Sequence, residues 1–344
     1  MHPILKQLAE CGQSIWYDNI SRGMLASGAM QALIDEGVVG VTSNPSIFQK
    51  AICDSGDYDA ALQELVAQGK SAAEIYDELT LADIRATADL FATVYDRTIA
   101  EARRLFAAVS RPNVMIKIPG TEEGLPAIRT AISEGINVNV TLIFSADVYE
   151  RVMESYAHGI EDRLAARQDV NKIASVASFF VSRVDTAVDK QIADDPDASD
   201  LLGKAAVANS KMAYQRYLAF FEGPRFKPLA AKGANIQRPL WASTSTKNAA
   251  YSPTLYVDTL IGPNTVNTMP PVTLDAVREG IPVAVTVTEG LDEARQVLAR
   301  LAERGVSMEQ VTEDLRMAGV KAFADAFNKL MSDIESKRAS VAAS

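Results

Sequence analysis

Lys117 stands inside an apolar run, residues 114–118, where a charged amine is costly unless it is paired or kept neutral. Flanked by Ile116 and Ile118, it can give up its proton more readily than an exposed lysine, and a neutral amine is a nucleophile toward carbonyl carbon. A second run, residues 137–144, carries Asn137, Asn139 and Thr141 at alternating positions, which puts them on one face of a strand. Such a polar face suits a lined cavity better than a dry core. The competing reading is that Lys117 snorkels from a strand end and the asparagines cap turns.

Stepping outward, residues 122–134 place Leu125, Ile128 and Ile132 three or four apart, and Gly135 supplies a stop, so this stretch reads as an amphipathic helix. Strand, helix and strand joined by short loops form a βαβ unit, which requires a parallel sheet.

IKIPGT followed by EGINVNVTLIFS resembles the transaldolase family in its long bacterial form. GVTSNPSIF (residues 40–48) is similar to that family's second strand and loop. SFFVSRVD (178–185) and LWASTSTKN (240–248) resemble its sixth and seventh strands, all in family order. The resemblance implies a (β/α)8 TIM barrel of the class I aldolase type. It also implies metal-free Schiff-base chemistry on sugar phosphates, with no cofactor.

On that frame, SIWYDNI is a first strand ending at Asp18, a carboxylate placed to act as acid or base; otherwise it is a surface turn aspartate. The resemblance gives Asp18 proton transfer at the sugar's C4 hydroxyl. Thr42 and Asn44 end the second strand and face the pocket together, and Pro45 opens the following helix. The family's matching asparagine holds substrate; the bland alternative for Asn44 is simple helix entry. Asn139 and Ser178 would hold hydroxyls of the intermediate, and Thr141 would orient a water. Arg183 and Ser178 near the end of a late strand suit phosphate recognition, the alternative for Arg183 being an ion pair with Asp185. After Ala242 the chain reads STSTKN, so Ser243 offers a hydroxyl and Lys247 a point charge.

One departure from the family pattern stands out. Residues 46–109 are nearly all helix-forming, and Asp96-Arg97-Thr98 leaves no room for the third barrel strand or for the family glutamate that positions water. The expectation is a barrel lacking its third strand near residues 95–98. Asp96 and Glu101 are the nearest carboxylates, and neither lies in a family motif.

With 344 residues and 48% hydrophobic content, the chain can bury one large barrel core. We expect a single domain over residues 1–336 and a disordered tail over 337–344. A net charge of −10 argues against nucleic acid and membrane surfaces as partners, while leaving room for locally held phosphates. Two cysteines and two histidines are too few for a disulfide framework or a His-rich metal site. No apolar run reaches the roughly 18 residues of a membrane span, and the N-terminus lacks signal-peptide character, so the expectation is a cytoplasmic protein, monomeric or homodimeric. The leading expectation is transfer of a dihydroxyacetone unit between sugar phosphates. Its rivals are a class I aldolase that releases free dihydroxyacetone and a catalytically impaired barrel acting as a binding protein.

Overall fold

The apolar runs form strands and the amphipathic stretches between them form helices that cover the sheet's outer face. The computed structural model describes residues 1–90 and 108–342. Among these, seven strands make one parallel sheet: β1 (Ser14–Tyr17), β2 (Gly40–Val41), β3 (Ile116–Pro119), β4 (Val138–Ile143), β5 (Ser175–Phe180), β6 (Gln237–Ala242) and β7 (Val266–Met269). Their order is β2-β1-β7-β6-β5-β4-β3, and every pairing is parallel. This is the TIM-barrel class of α/β fold, with β2 and β3 at the two ends of the strand order. The stretch at 95–98, where a missing third strand was expected, lies outside the described residues, as do Asp96 and Glu101.

All six residues of β4 and of β5 are buried, because helices cover one face and the barrel interior closes over the other. Phe179, Trp241 and Tyr149 pack outward, Phe179 meeting Trp241 edge to face and the Tyr149 ring at a tilt. On the inner face stand Asn139, Ser178 and their neighbours, so strand parity separates packing from chemistry.

β4 is irregular between Val140 and Ile143, where Leu142 takes a positive φ of 59°. Leu142 packs against the C-terminal helix, Met308–Ala342, at Gly319; a Cβ on that glycine would sit 2.7 Å from Leu142 Cδ2. Glycine is what permits the approach. The same helix brings Phe327 edge to face with Tyr76 at 5.7 Å. At about 1.5 Å per residue its 35 residues span roughly 52 Å. The tail expected to be disordered from Lys337 instead continues this helix through Ala342. Lys337 holds it by donating to the Ile52 and Ser55 carbonyls and pairing with Asp59 at 2.6 Å. No helix among the described residues is long and apolar enough to cross a membrane.

Candidate active site

Lys117 projects from β3 directly opposite Asn139 of β4. Lys117 borders a cavity of about 440 Å³ that is also lined by Thr42, Asn44, Asn139, Trp16 and Phe327. Burial pulls the Lys117 ammonium below its ordinary value, and the Asp18 carboxylate pulls weakly the other way. Desolvation therefore wins, and the amine is biased toward its nucleophilic form.

Asp18 follows β1, its backbone N–H tied to the Met269 carbonyl at 3.0 Å. The Thr42 hydroxyl donates a short hydrogen bond to Asp18 Oδ1 and lies 3.1 Å from the Thr268 hydroxyl. Thr42 lines the cavity, yet its proton is committed to Asp18. Thr42 thus faces the pocket, as the sequence suggested, and reaches the carboxylate as well.

Asn44 caps the helix Pro45–Cys53, its Oδ1 accepting from the Ile47 N–H at 3.1 Å. The capping reading thus holds, and the amide nitrogen is left for the cavity. Asn139 Oδ1 accepts from the Ser178 hydroxyl at 2.6 Å. Both residues are buried, so this contact fixes which edge of the amide the cavity meets. Two residues along β4, the buried Thr141 hydroxyl has no hydrogen-bond partner among the described residues. A roomy polar site of this kind suits a water.

Arg183 opens the helix Ser182–Ile192 just beyond β5. Its guanidinium lies over the Phe180 ring at 5.3 Å and pairs with no carboxylate among the described residues. Burial lowers its pKa as well. The alternative partner, Asp185, is buried and occupied: it accepts from the Ala206 N–H and the Tyr256 hydroxyl, each at 2.7 Å. An unpaired, partly buried guanidinium is poised for an anion. At the neighbouring strand end, Ser243 stands 2.9 Å from Ser182, hydroxyl to hydroxyl. Lys247 is exposed and donates to Ser245 at 2.6 Å.

The fold therefore gathers Lys117, Thr42, Asn44 and Asn139 around one cavity, with Asp18 and Ser178 one hydrogen bond behind. Arg183 and Ser243 hold adjacent strand ends, and Lys247 stays apart in the loop. Thr268 was not singled out from the sequence. Its signal was parity: Met269 packs in the outer core, so Thr268 must face inward.

A family model described as Transaldolase/Fructose-6-phosphate aldolase matches residues 15–334. The chain belongs to the transaldolase/fructose-6-phosphate aldolase family. It is 43% identical over 368 residues to a transaldolase of Trichodesmium erythraeum, covering 97% of both chains. It is 45% identical over 364 residues to one of Parafrankia sp., covering 98% of this chain and 99% of the relative. With the transaldolase of Saccharopolyspora erythraea it shares 45% identity over 352 residues, 96% of each chain. The Trichodesmium comparison spans 368 positions against the 344 residues of this chain, so at least 24 of them find no counterpart here.

Proposed function

We propose that this protein is a transaldolase that moves a dihydroxyacetone unit from fructose 6-phosphate or sedoheptulose 7-phosphate to an aldose phosphate such as erythrose 4-phosphate or glyceraldehyde 3-phosphate. The observation that carries the reading is a desolvated Lys117 amine facing a cavity it shares with Thr42, Asn44 and Asn139 and lying in the field of Asp18. Relatives named transaldolase at 43–45% identity over nearly the full chain support the same conclusion.

In this mechanism the neutral Lys117 amine adds to the donor ketone, and loss of water gives an iminium ion. Asp18 takes the C4 hydroxyl proton as the C3–C4 bond breaks, and the bonding pair moves into the iminium to give an enamine. An aldose phosphate leaves. The enamine carbon then attacks the aldehyde of the acceptor while Asp18 returns its proton, and water releases the product from Lys117. Asn44 and Asn139 hold the intermediate's hydroxyls, with Ser178 fixing Asn139, and Thr141 holds the water. Arg183 with Ser243 takes the phosphate, Lys247 adding at most a long-range charge. Sugar phosphates are cytoplasmic metabolites, which is the compartment this reading implies.

The test is borohydride trapping with fructose 6-phosphate, read by intact mass and peptide mapping. We expect a three-carbon adduct on Lys117. A folded chain that traps nothing would end the enzyme reading. Because the family description covers aldolases too, the assay is repeated without acceptor. Free dihydroxyacetone released as fast as transfer proceeds would favour the aldolase. The positions without counterpart support loss of an internal segment, which makes this second arm informative.

A further inference from the structure

We propose that Thr268 is a positioning residue for proton transfer, acting on Asp18 through the Thr42 hydroxyl. The inference rests on the transaldolase reading, in which Asp18 moves the C4 hydroxyl proton. Three adjacent strands supply the parts: Thr42 follows β2, Asp18 follows β1, and Thr268 lies in β7. The sheet order β2-β1-β7 sets the three strand ends side by side, so the Thr42 hydroxyl reaches both Asp18 and Thr268. Thr42 Oγ1 contacts Asp18 Oδ1 on one side and Thr268 Oγ1, at 3.1 Å, on the other.

Donor counting fixes the direction. An ionised carboxylate only accepts, so the single Thr42 proton points to Asp18. Thr42 Oγ1 can then only accept from Thr268, which makes the chain Thr268 to Thr42 to Asp18. Thr268 and Thr42 are both buried, at 4% and 6% exposure, so bulk water does not replace either hydroxyl cheaply. Thr268 is itself pinned, because its backbone carbonyl accepts from Thr244 Oγ1 at 3.0 Å and that hydroxyl also reaches Asn267 Oδ1 at 3.0 Å. Thr268 is not among the residues that line the cavity. Its effect is to hold the Thr42 proton on Asp18, which keeps the carboxylate aligned.

The experiment uses the full-length enzyme with fructose 6-phosphate and erythrose 4-phosphate. Thr268→Val keeps the branched shape and removes the donor; Thr268→Ser restores the donor. We expect Thr268→Val to lower kcat on the order of fivefold, the scale of one buried hydrogen bond. KM should stay within about twofold. Thr268→Ser should recover the rate. On a Thr42→Val background, Thr268→Val should add no further loss, because the path runs through Thr42. Should the valine variant fail to fold, Thr268→Ala carries the same comparison.

Wild-type kinetics in Thr268→Val would overturn the proposal. So would a serine variant as impaired as the valine one, or losses that multiply in the double variant. The two readings fail differently. If the wild-type chain traps no adduct on Lys117, the function itself falls; if it traps one and the Thr268 variants behave as wild type, only this inference falls.

Discussion

Asn139 faces Lys117 in register across β3 and β4, and its Oδ1 accepts the Ser178 hydroxyl at 2.6 Å. The serine thereby decides how the amide is presented to whatever is bound at Lys117. Removing it in Ser178→Ala leaves a buried amide oxygen without its donor and free to turn. We expect kcat to fall about tenfold, the scale of losing one partner of a buried hydrogen bond. Borohydride should still trap the adduct on Lys117, since the amine is untouched. Steady-state kinetics beside trapping checks this, and unchanged kinetics would show that Ser178 only packs.

Lys117 itself should trade stability for reactivity. Burial lowers its folded-state pKa below the ordinary 10.5. Between the two values the unfolded chain binds the extra proton, so stability rises with pH across that window. The cost of the buried charge is thus fully present below the folded value and gone above 10.5. Lys117→Met should lower transfer by on the order of 10³ or more and yet melt at a higher temperature at neutral pH. Asp18→Asn removes the charge that holds the ammonium, so the pH at which adduct formation is half-maximal should move down. A Lys117→Met protein that melts lower than the parent would contradict this account.

Much of this site was legible because strand parity is a strict code. Alternation alone placed Asn139 and Thr141 on one face, and Lys117 fell opposite Asn139 in register. Pro45 likewise marked the helix that Asn44 caps. Long-range pairings were not legible. Nothing local to Thr42 says that its hydroxyl will meet Thr268, 226 positions away, since that contact is made by strand order. Helix ends also escaped local reading. Two helices, Arg22–Ala26 and Ala29–Glu36, are separated at Gly28, whose φ of 79° breaks the turn. The opposite happened at the C-terminus, where Lys337 binds carbonyls near residue 52 and extends a helix that composition alone would end.

Arg183 and Lys247 separate on solvent exposure. Arg183 is half-buried over Phe180 and has no carboxylate partner among the described residues, whereas Lys247 is exposed and held by Ser245. A charge-assisted hydrogen bond in a partly dry site contributes about 1.5–3 kcal/mol, while an exposed point charge contributes little. Arg183→Ala should therefore raise KM for fructose 6-phosphate roughly 10- to 100-fold with a smaller change in kcat. Lys247→Ala should change KM less than about threefold. Unphosphorylated dihydroxyacetone, tested as a trapping substrate, should be indifferent to both. Equal losses from the two variants would mean that the phosphate is held elsewhere.

The helix that carries Arg183 is anchored by a carboxylate that titrates in an unusual range. Asp185 is 1% exposed, and burial pushes it up to about 6, against hydrogen bonds from the Ala206 N–H and Tyr256 hydroxyl that favour its charge. Its ordinary value is 3.8. A raised acid binds its proton more tightly in the folded state, so the stability it contributes is full below 3.8 and is lost as pH rises through about 6. A shift of that size corresponds to roughly 3 kcal/mol. Asp185→Asn has no charge to ionise, so it should lose none of this. Urea unfolding of both proteins at several pH values from 4 to 7 reads the difference directly, because the other titrating groups cancel. The parent should lose stability relative to Asp185→Asn across that range, by up to about 3 kcal/mol. Two parallel curves would show that Asp185 stays charged throughout, held by its two donors.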